Sequence, residues 1–146
     1  MDIEASLVTD IDADALYAVV ADLGTYPRWL DIVSRAVEAP AADGDAGPAW
    51  SIDLRGQLGP LRRSKRLRMV RVTADAPTRV RFERRELDGR DHSPWVMEGA
   101  IDSGPGSSEL TMRLHYGGSL WVPMLDRVLR DEIERSRARL VEVARG

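Results

Sequence analysis

Residues 94–117 read PWVMEGAIDSGPGSSELTMRLHYG. Two alternating runs flank a connector of Gly, Pro and Ser. In the first, Trp95, Met97, Gly99 and Ile101 share one parity; in the second, Leu110, Met112, Leu114 and Tyr116 do. Glu98, Arg113 and His115 occupy the other parity. A period of two marks a strand with one dry face and one wet face. The Ser103–Ser108 connector is turn chemistry, so the two runs read as neighbouring antiparallel strands.

The same pattern recurs upstream in Trp50/Ile52/Leu54, Leu67/Met69 and Val80/Phe82, with Asp53, Arg68, Arg81 and Glu83 interleaved. Strands are expected at about 49–56, 62–73, 79–87, 94–103 and 108–117. Turn residues at 56–60, 75–77, 88–89 and 103–108 separate them, which makes a meander. Residues 2–9 add a first strand with Ile3, Ala5 and Leu7 on one face. Residues 32–39 add a weaker one with Val33 and Val37, and small polar residues at 41–47 form a loop.

Helices occupy the rest. Asp12 is placed as an N-cap with Asp14 in the first turn. Leu16, Val19, Val20 and Leu23 then form one apolar stripe, and Gly24 is placed to end that helix. Residues 26–30, Tyr-Pro-Arg-Trp-Leu, read as a turn and a short second helix. From about 120 to 145, Leu125, Leu129, Ile133, Ser136, Leu140 and Val143 step by three or four. Asp126–Arg130 and Asp131–Arg135 are i, i+4 pairs of the favoured orientation. This helix would be roughly 35 Å long. It should bury Leu129, Ile133 and Leu140 against the sheet and leave Arg130, Glu134 and Arg137 wet. One helix is too narrow to cover so wide a sheet, so the sheet must curl. The expected architecture is α+β: a seven-stranded curved antiparallel sheet around a long C-terminal helix, with two short helices after strand 1. The 146 residues suit one domain, 1–146.

Composition narrows the chemistry. There are no cysteines, which excludes disulfides, thiolate nucleophiles and cysteine-ligated zinc or iron–sulfur clusters. Apolar residues make up 43%, and no run approaches the roughly 20 needed to span a bilayer. The start, Met-Asp-Ile-Glu, lacks a signal-peptide pattern, so a cytoplasmic location is expected. The net charge of −3 is mild. Six cations at positions 62, 63, 65, 66, 68 and 71 stand without an acid among them. Their alternation with apolar residues reads as a solvated outer face paired with acids such as Glu83 or Asp53 rather than a nucleic-acid site. The two histidines, His92 and His115, lie on different elements without metal-ligand spacing, so no metal and no cofactor is expected. His115 has outward parity. Asp91, His92 and Ser93 are sequence neighbours and cannot line up as orienter, base and nucleophile.

The order strand, two helices, six strands, long helix resembles the helix-grip fold of the START and birch-pollen-allergen superfamily, also called SRPBCC or polyketide cyclase/dehydrase-like. The segments Asp22-Leu-Gly-Thr-Tyr-Pro-Arg-Trp29, Ser64-Lys-Arg-Leu-Arg-Met-Val70 and Asp91-His-Ser-Pro-Trp-Val96 carry the local likeness. The resemblance implies a cavity between sheet and helix, and a small apolar or aromatic ligand of polyketide, lipid or isoprenoid type. It transfers no catalytic residue. Inward parity and residue type then make Trp29, Trp50, Met69, Phe82, Trp95, Met97, Met112, Tyr116, Trp121 and Met124 the expected lining. Arg84, Tyr116 or Lys65 would orient a polar end, with Arg84 paired to Glu86 at the cavity mouth. Gly99 would leave the cavity widest at its position. Burying some 300 Å² of ligand at about 25 cal/mol per Å² gives roughly 7 kcal/mol gross, hence micromolar to sub-millimolar affinity after association costs. The alternatives are an aromatase/cyclase or dehydratase using Tyr, Arg or Glu in the same cavity, and an interaction module using the 62–71 surface. A monomer or homodimer is expected.

Overall fold

The computed structural model describes residues 2–58, 61–117 and 122–146, apart from the side chains at 57, 58, 61–63, 122–126, 128 and 129. The chain begins with strand β1 (Asp2–Thr9), helix α1 (Ala13–Val20) and a 3₁₀ helix (Leu23–Arg28). Six strands follow: β2 (Val33–Ala39), β3 (Ala49–Leu58), β4 (Leu61–Asp75), β5 (Arg79–Arg84), β6 (Trp95–Gly104) and β7 (Ser107–Tyr116). Helix α2 (Val122–Arg145) closes the order. The seven strands form one antiparallel sheet in the order β1-β7-β6-β5-β4-β3-β2. Consecutive strands from β2 to β7 are neighbours, as a meander requires. Only β1 pairs across the length of the chain, with Asp2 opposite His115 and Leu7 opposite Leu110.

Register shifts at Val33/Arg35 and Arg71/Thr73 interrupt the ladders. Such irregularities bend a strand and increase its twist, and the sheet curves into the helix-grip form. The inner parity of the expected runs is the buried one except in β2, where Val33 is buried but Val37, past the register shift, is exposed. Ile3, Trp50, Ile52, Leu67, Met69, Val80, Phe82, Trp95, Ile101, Leu110 and Tyr116 join one core with Leu16, Val20 and Leu140.

The local devices at the helix starts follow from sequence. The Ala15 N–H donates to Asp12 Oδ1 (2.9 Å), the expected N-cap. Gly24 differs from its expected place. Helix α1 stops at Val20 with Ala21 as its cap, and Asp22 opens the 3₁₀ helix by accepting the Gly24 N–H (2.9 Å). The second acidic cap arrives before the glycine can end the first helix. Two strand ends also move. The β3–β4 hairpin runs past Gly56 to pair Leu58 with Leu61, and β5 stops at Arg84, just beyond which the Arg85 N–H still donates to the Arg68 carbonyl (2.9 Å) while the Glu86 side chain accepts the Arg68 N–H (3.1 Å).

The outer face is less wet than its charges suggest. Arg68 is buried there with Val70. Its guanidinium donates to Asp45 Oδ2 (2.7 Å) and Oδ1 (3.3 Å), to the Pro40 carbonyl (3.0 Å) and to the Arg85 carbonyl (3.2 Å). The 40–48 loop therefore lies over β4. Gly47 permits that approach, since a Cβ there would sit 2.5 Å from the Arg71 carbonyl oxygen.

Candidate functional site

A cavity of about 90 Å³ lies between the β1–β7–β6 end of the sheet, the 3₁₀ helix and α2. Its walls come from four places. Strand β1 supplies Ile3, Ala5 and Leu7; strands β6 and β7 supply Met97, Leu110, Met112 and Leu114. Tyr26, Trp29, Leu30 and Ile32 come from the 3₁₀ helix and the residues after it. Ile133, Ser136, Arg137 and Leu140 form the α2 wall, with Glu132 beside them. The reason is geometric. Inward positions on paired strands stack across the sheet, and one α-helical stripe at i, i+3, i+4 and i+7 spans them.

Most polar groups at this wall are engaged; the exception is Arg137, whose guanidinium pairs with Glu134 through Nη1 (3.1 Å) while its buried Nε has no hydrogen-bond partner among the described residues. The Tyr26 hydroxyl donates to the Val20 carbonyl (2.8 Å), and burial pushes its phenol well above the usual tyrosine range. Ser136 Oγ donates to the Ile133 carbonyl (2.8 Å). Glu132, only 4% exposed, accepts the Asp31 N–H through Oε1 (2.6 Å) and pairs with Arg135 through Oε2 (2.8 Å). Asp31 in turn pairs with Arg139, and that bond holds its carboxyl below the usual carboxylate range. These links tie α2 to the segment after the 3₁₀ helix, at one side of the cavity. What the cavity offers to an occupant is mostly hydrocarbon.

Of the expected lining residues, the structure brings Trp29, Met97 and Met112 to this cavity. Trp50, Met69, Phe82 and Tyr116 are buried in the core beside it. Phe82 packs edge-on against Trp50 (5.8 Å between centroids) and Tyr26 (6.4 Å). Trp95 stacks on Tyr116 (5.2 Å between centroids), one inward step beyond Met97. Arg84 does pair with Glu86, Nε to Oε2 at 3.0 Å, but in a recess formed with Arg90, His92, Ser93 and Trp95 rather than at the apolar cavity. Trp121 lies outside the described residues, as do the side chains of Met124 and Leu129. Gly99 is not an opening. A Cβ there would meet Val80 Cγ1 at 3.2 Å and Met112 Sδ at 3.3 Å, so neighbouring side chains already fill the space.

Sequence reading missed Tyr26, the β1 wall and Glu132. The β1 parity was available, but pairing of β1 with β7 was needed to carry it to the site. Nothing in the pattern of α2 marks Glu132 as buried; its place is set by the Asp31 N–H on another element. In the basic stretch, Arg66 pairs with Asp53 (2.7 Å), Arg68 with Asp45, and Arg71 donates to the Ala21 carbonyl (2.9 Å), while Lys65 lies over the Trp95 ring. His115 is exposed and bonds Asp2 (2.8 Å). Among the described residues no group of three His, Asp or Glu side chains could hold a metal ion, and no helix is long and apolar enough to cross a membrane.

Solved structures share this architecture. A START superfamily protein from Mycobacterium smegmatis superposes with a TM-score of 0.67 at 15% identity, covering 97% of this chain and 92% of that one. A protein from Deinococcus radiodurans gives 0.64 at 18% identity, covering 94% and 95%. The di-domain aromatase/cyclase StfQ from the steffimycin biosynthetic pathway gives 0.65 at 16% identity, covering 98% of this chain and 48% of that one. Likeness at these identities establishes a common fold. A comparison with curated protein sequences found no match. Over residues 1–145 the sequence matches the family described as polyketide cyclase / dehydrase and lipid transport, and the chain belongs to that family.

Proposed function

We propose that this protein binds and carries a small apolar or aromatic metabolite of polyketide, lipid or isoprenoid type, with its hydrocarbon part against Trp29, Met97 and Met112. One observation supports the reading: a cavity between sheet and α2 whose wall is mostly hydrocarbon and in which Tyr26, Glu132 and Ser136 are committed to partners within the protein. At about 90 Å³ it is smaller than the roughly 150 Å³ apolar cavity that takes benzene in an engineered protein. Met97 and Met112 are the adaptable part of the wall, since unbranched thioether side chains repack at low cost. A larger occupant is admitted by their movement. A single buried ring removes on the order of 150–250 Å² of apolar surface from water, worth roughly 4–6 kcal/mol before association costs. Weak binding of one ring and tighter binding of larger flat hydrophobes are expected. The engaged state of Tyr26, Ser136 and Glu132 favours carriage over cyclisation, because a general acid or base needs a group free to exchange a proton with its substrate.

The test is a thermal-shift and tryptophan-emission screen of fatty acids, flavonoids, quinones and polycyclic aromatics. It is run beside Ala5→Leu, which places three more carbons in the cavity opposite Met112. Binding should raise the wild-type Tm by mass action and perturb Trp29, and Ala5→Leu should suppress both. If no compound moves either signal in the wild type, the reading is wrong.

A further inference from the structure

Trp95, at the start of β6, is 6% exposed, and its indole Nε1–H has no hydrogen-bond partner among the described residues. An indole N–H can only donate, and a buried donor without an acceptor is a standing cost to the fold. The groups around it explain why none answers. On the inner face of β5, Arg84 stands beside Trp95, as the pairings Phe82–Met97 and Glu83–Val96 require. Arg84 is itself all donor. It consumes Glu86 Oε2 (3.0 Å) and the Ser93 carbonyl (3.2 Å), while the Arg68 N–H takes Glu86 Oε1 (3.1 Å). On β4, Lys65 reaches over the Trp95 ring with Nζ 5.9 Å from its centroid. Partial desolvation and the neighbouring Arg84 push the Lys65 ammonium below the usual lysine range, against the pull of Glu86. This end of the inner face thus gathers donors and cations around a spare N–H.

We propose that Trp95 and Lys65 form a polar subsite for a carboxylate oxygen of the bound metabolite, the indole N–H donating to it and the ammonium balancing its charge. The proposal rests on the carrier reading above and specifies the ligand further. Trp95 and Tyr116 lie one inward step beyond Met97 and Leu114, two residues or about 6.7 Å along the strands. The ligand class is therefore an apolar or aromatic body with a carboxylate about two to three bonds from it, as in an arylalkanoic or short branched fatty acid.

Two probes of similar shape separate the subsite from the cavity: 3-phenylpropionate and propylbenzene. Their affinities are measured by calorimetry for the wild type, Trp95→Phe and Lys65→Met, and the indole N–H resonances are followed by ¹H–¹⁵N NMR. The Trp95 signal is assigned by its loss in Trp95→Phe. The expected result is a roughly five- to tenfold loss of 3-phenylpropionate affinity in each variant, the scale of one hydrogen bond to a charged group. Propylbenzene should change by less than about twofold, since its burial is untouched. The Trp95 Nε1–H resonance should move with the acid and not with the hydrocarbon. If propylbenzene binds but the acid neither moves that resonance nor discriminates the variants, the subsite is overturned and the cavity stands. If neither probe binds, both fall. Lys65→Met changes an exposed side chain, and the wild-type NMR measurement needs no variant to fold.

Discussion

Arg68 shows how a single side chain can reverse the reading of its own strand position. Its outward parity and its neighbours at 62–71 describe a solvated cation, yet four guanidinium hydrogen bonds, three to the 40–48 loop and one to the Arg85 carbonyl just past β5, hold it buried. The partner, Asp45, sits in a stretch of small and polar residues whose spacing says only loop. The Arg68 guanidinium and then the Ala42 N–H (2.8 Å) hold the Asp45 carboxyl below the usual carboxylate range. A depressed folded pKa adds stability that is complete above the ordinary aspartate value near 3.9 and disappears as pH falls through the lower folded value. Asp45→Asn should therefore lower the Tm at pH 7, and the gap to wild type should close below about pH 4. A gap that persists unchanged at pH 2 to 3 would assign the effect to shape rather than charge. Gly99 teaches the opposite lesson. Parity placed it correctly on the inner face, but whether the space above it is empty depends on Val80 and Met112, which come from two other strands.

At the scale of elements the alternation pattern was decisive. All seven strands and both α-helices lie within a few residues of their expected spans, because a period of two or of 3.6 is written locally. The 3₁₀ geometry of residues 23–28 was not legible, since it depends on Asp22 capping a turn that contains Pro27. Helix α2 presents Leu140, 4% exposed, to the core, with Ile133 partly buried at the cavity wall. Leu140→Ala should cost about 2–4 kcal/mol as a buried large-to-small change. Ile133→Ala should cost less, because its side chain already borders empty space, and the exposed Glu134→Ala should stay within about 0.5 kcal/mol. Urea unfolding of the three variants checks the order; equal losses at Leu140 and Glu134 would mean that α2 packs with a different face. The expected wet face holds at Arg130 and Glu134, which are exposed, while Arg137 is half-buried with its stem along the cavity.

For the molecule as a whole, the sequence told the shape and left the contents open. A curved sheet with one covering helix was legible from the count of alternating runs. The position of the cavity was not, because it is set by which ends of the sheet the helix meets and by side chains from distant segments. That distance has a kinetic side. The cavity wall joins residues 3–7, 110–114 and 133–140, and β1 finds β7 more than a hundred residues later. Loops of that length close slowly relative to hairpins. Refolding followed by Trp29 emission should occupy milliseconds to seconds, and recovery of the full signal in microseconds would contradict this order of assembly. During synthesis the first strand emerges and must wait with one apolar face uncovered until β7 and α2 leave the ribosome. The Ile3, Ala5 and Leu7 row is uncovered apolar surface during that interval, and the cavity is complete only after translation has brought both walls together.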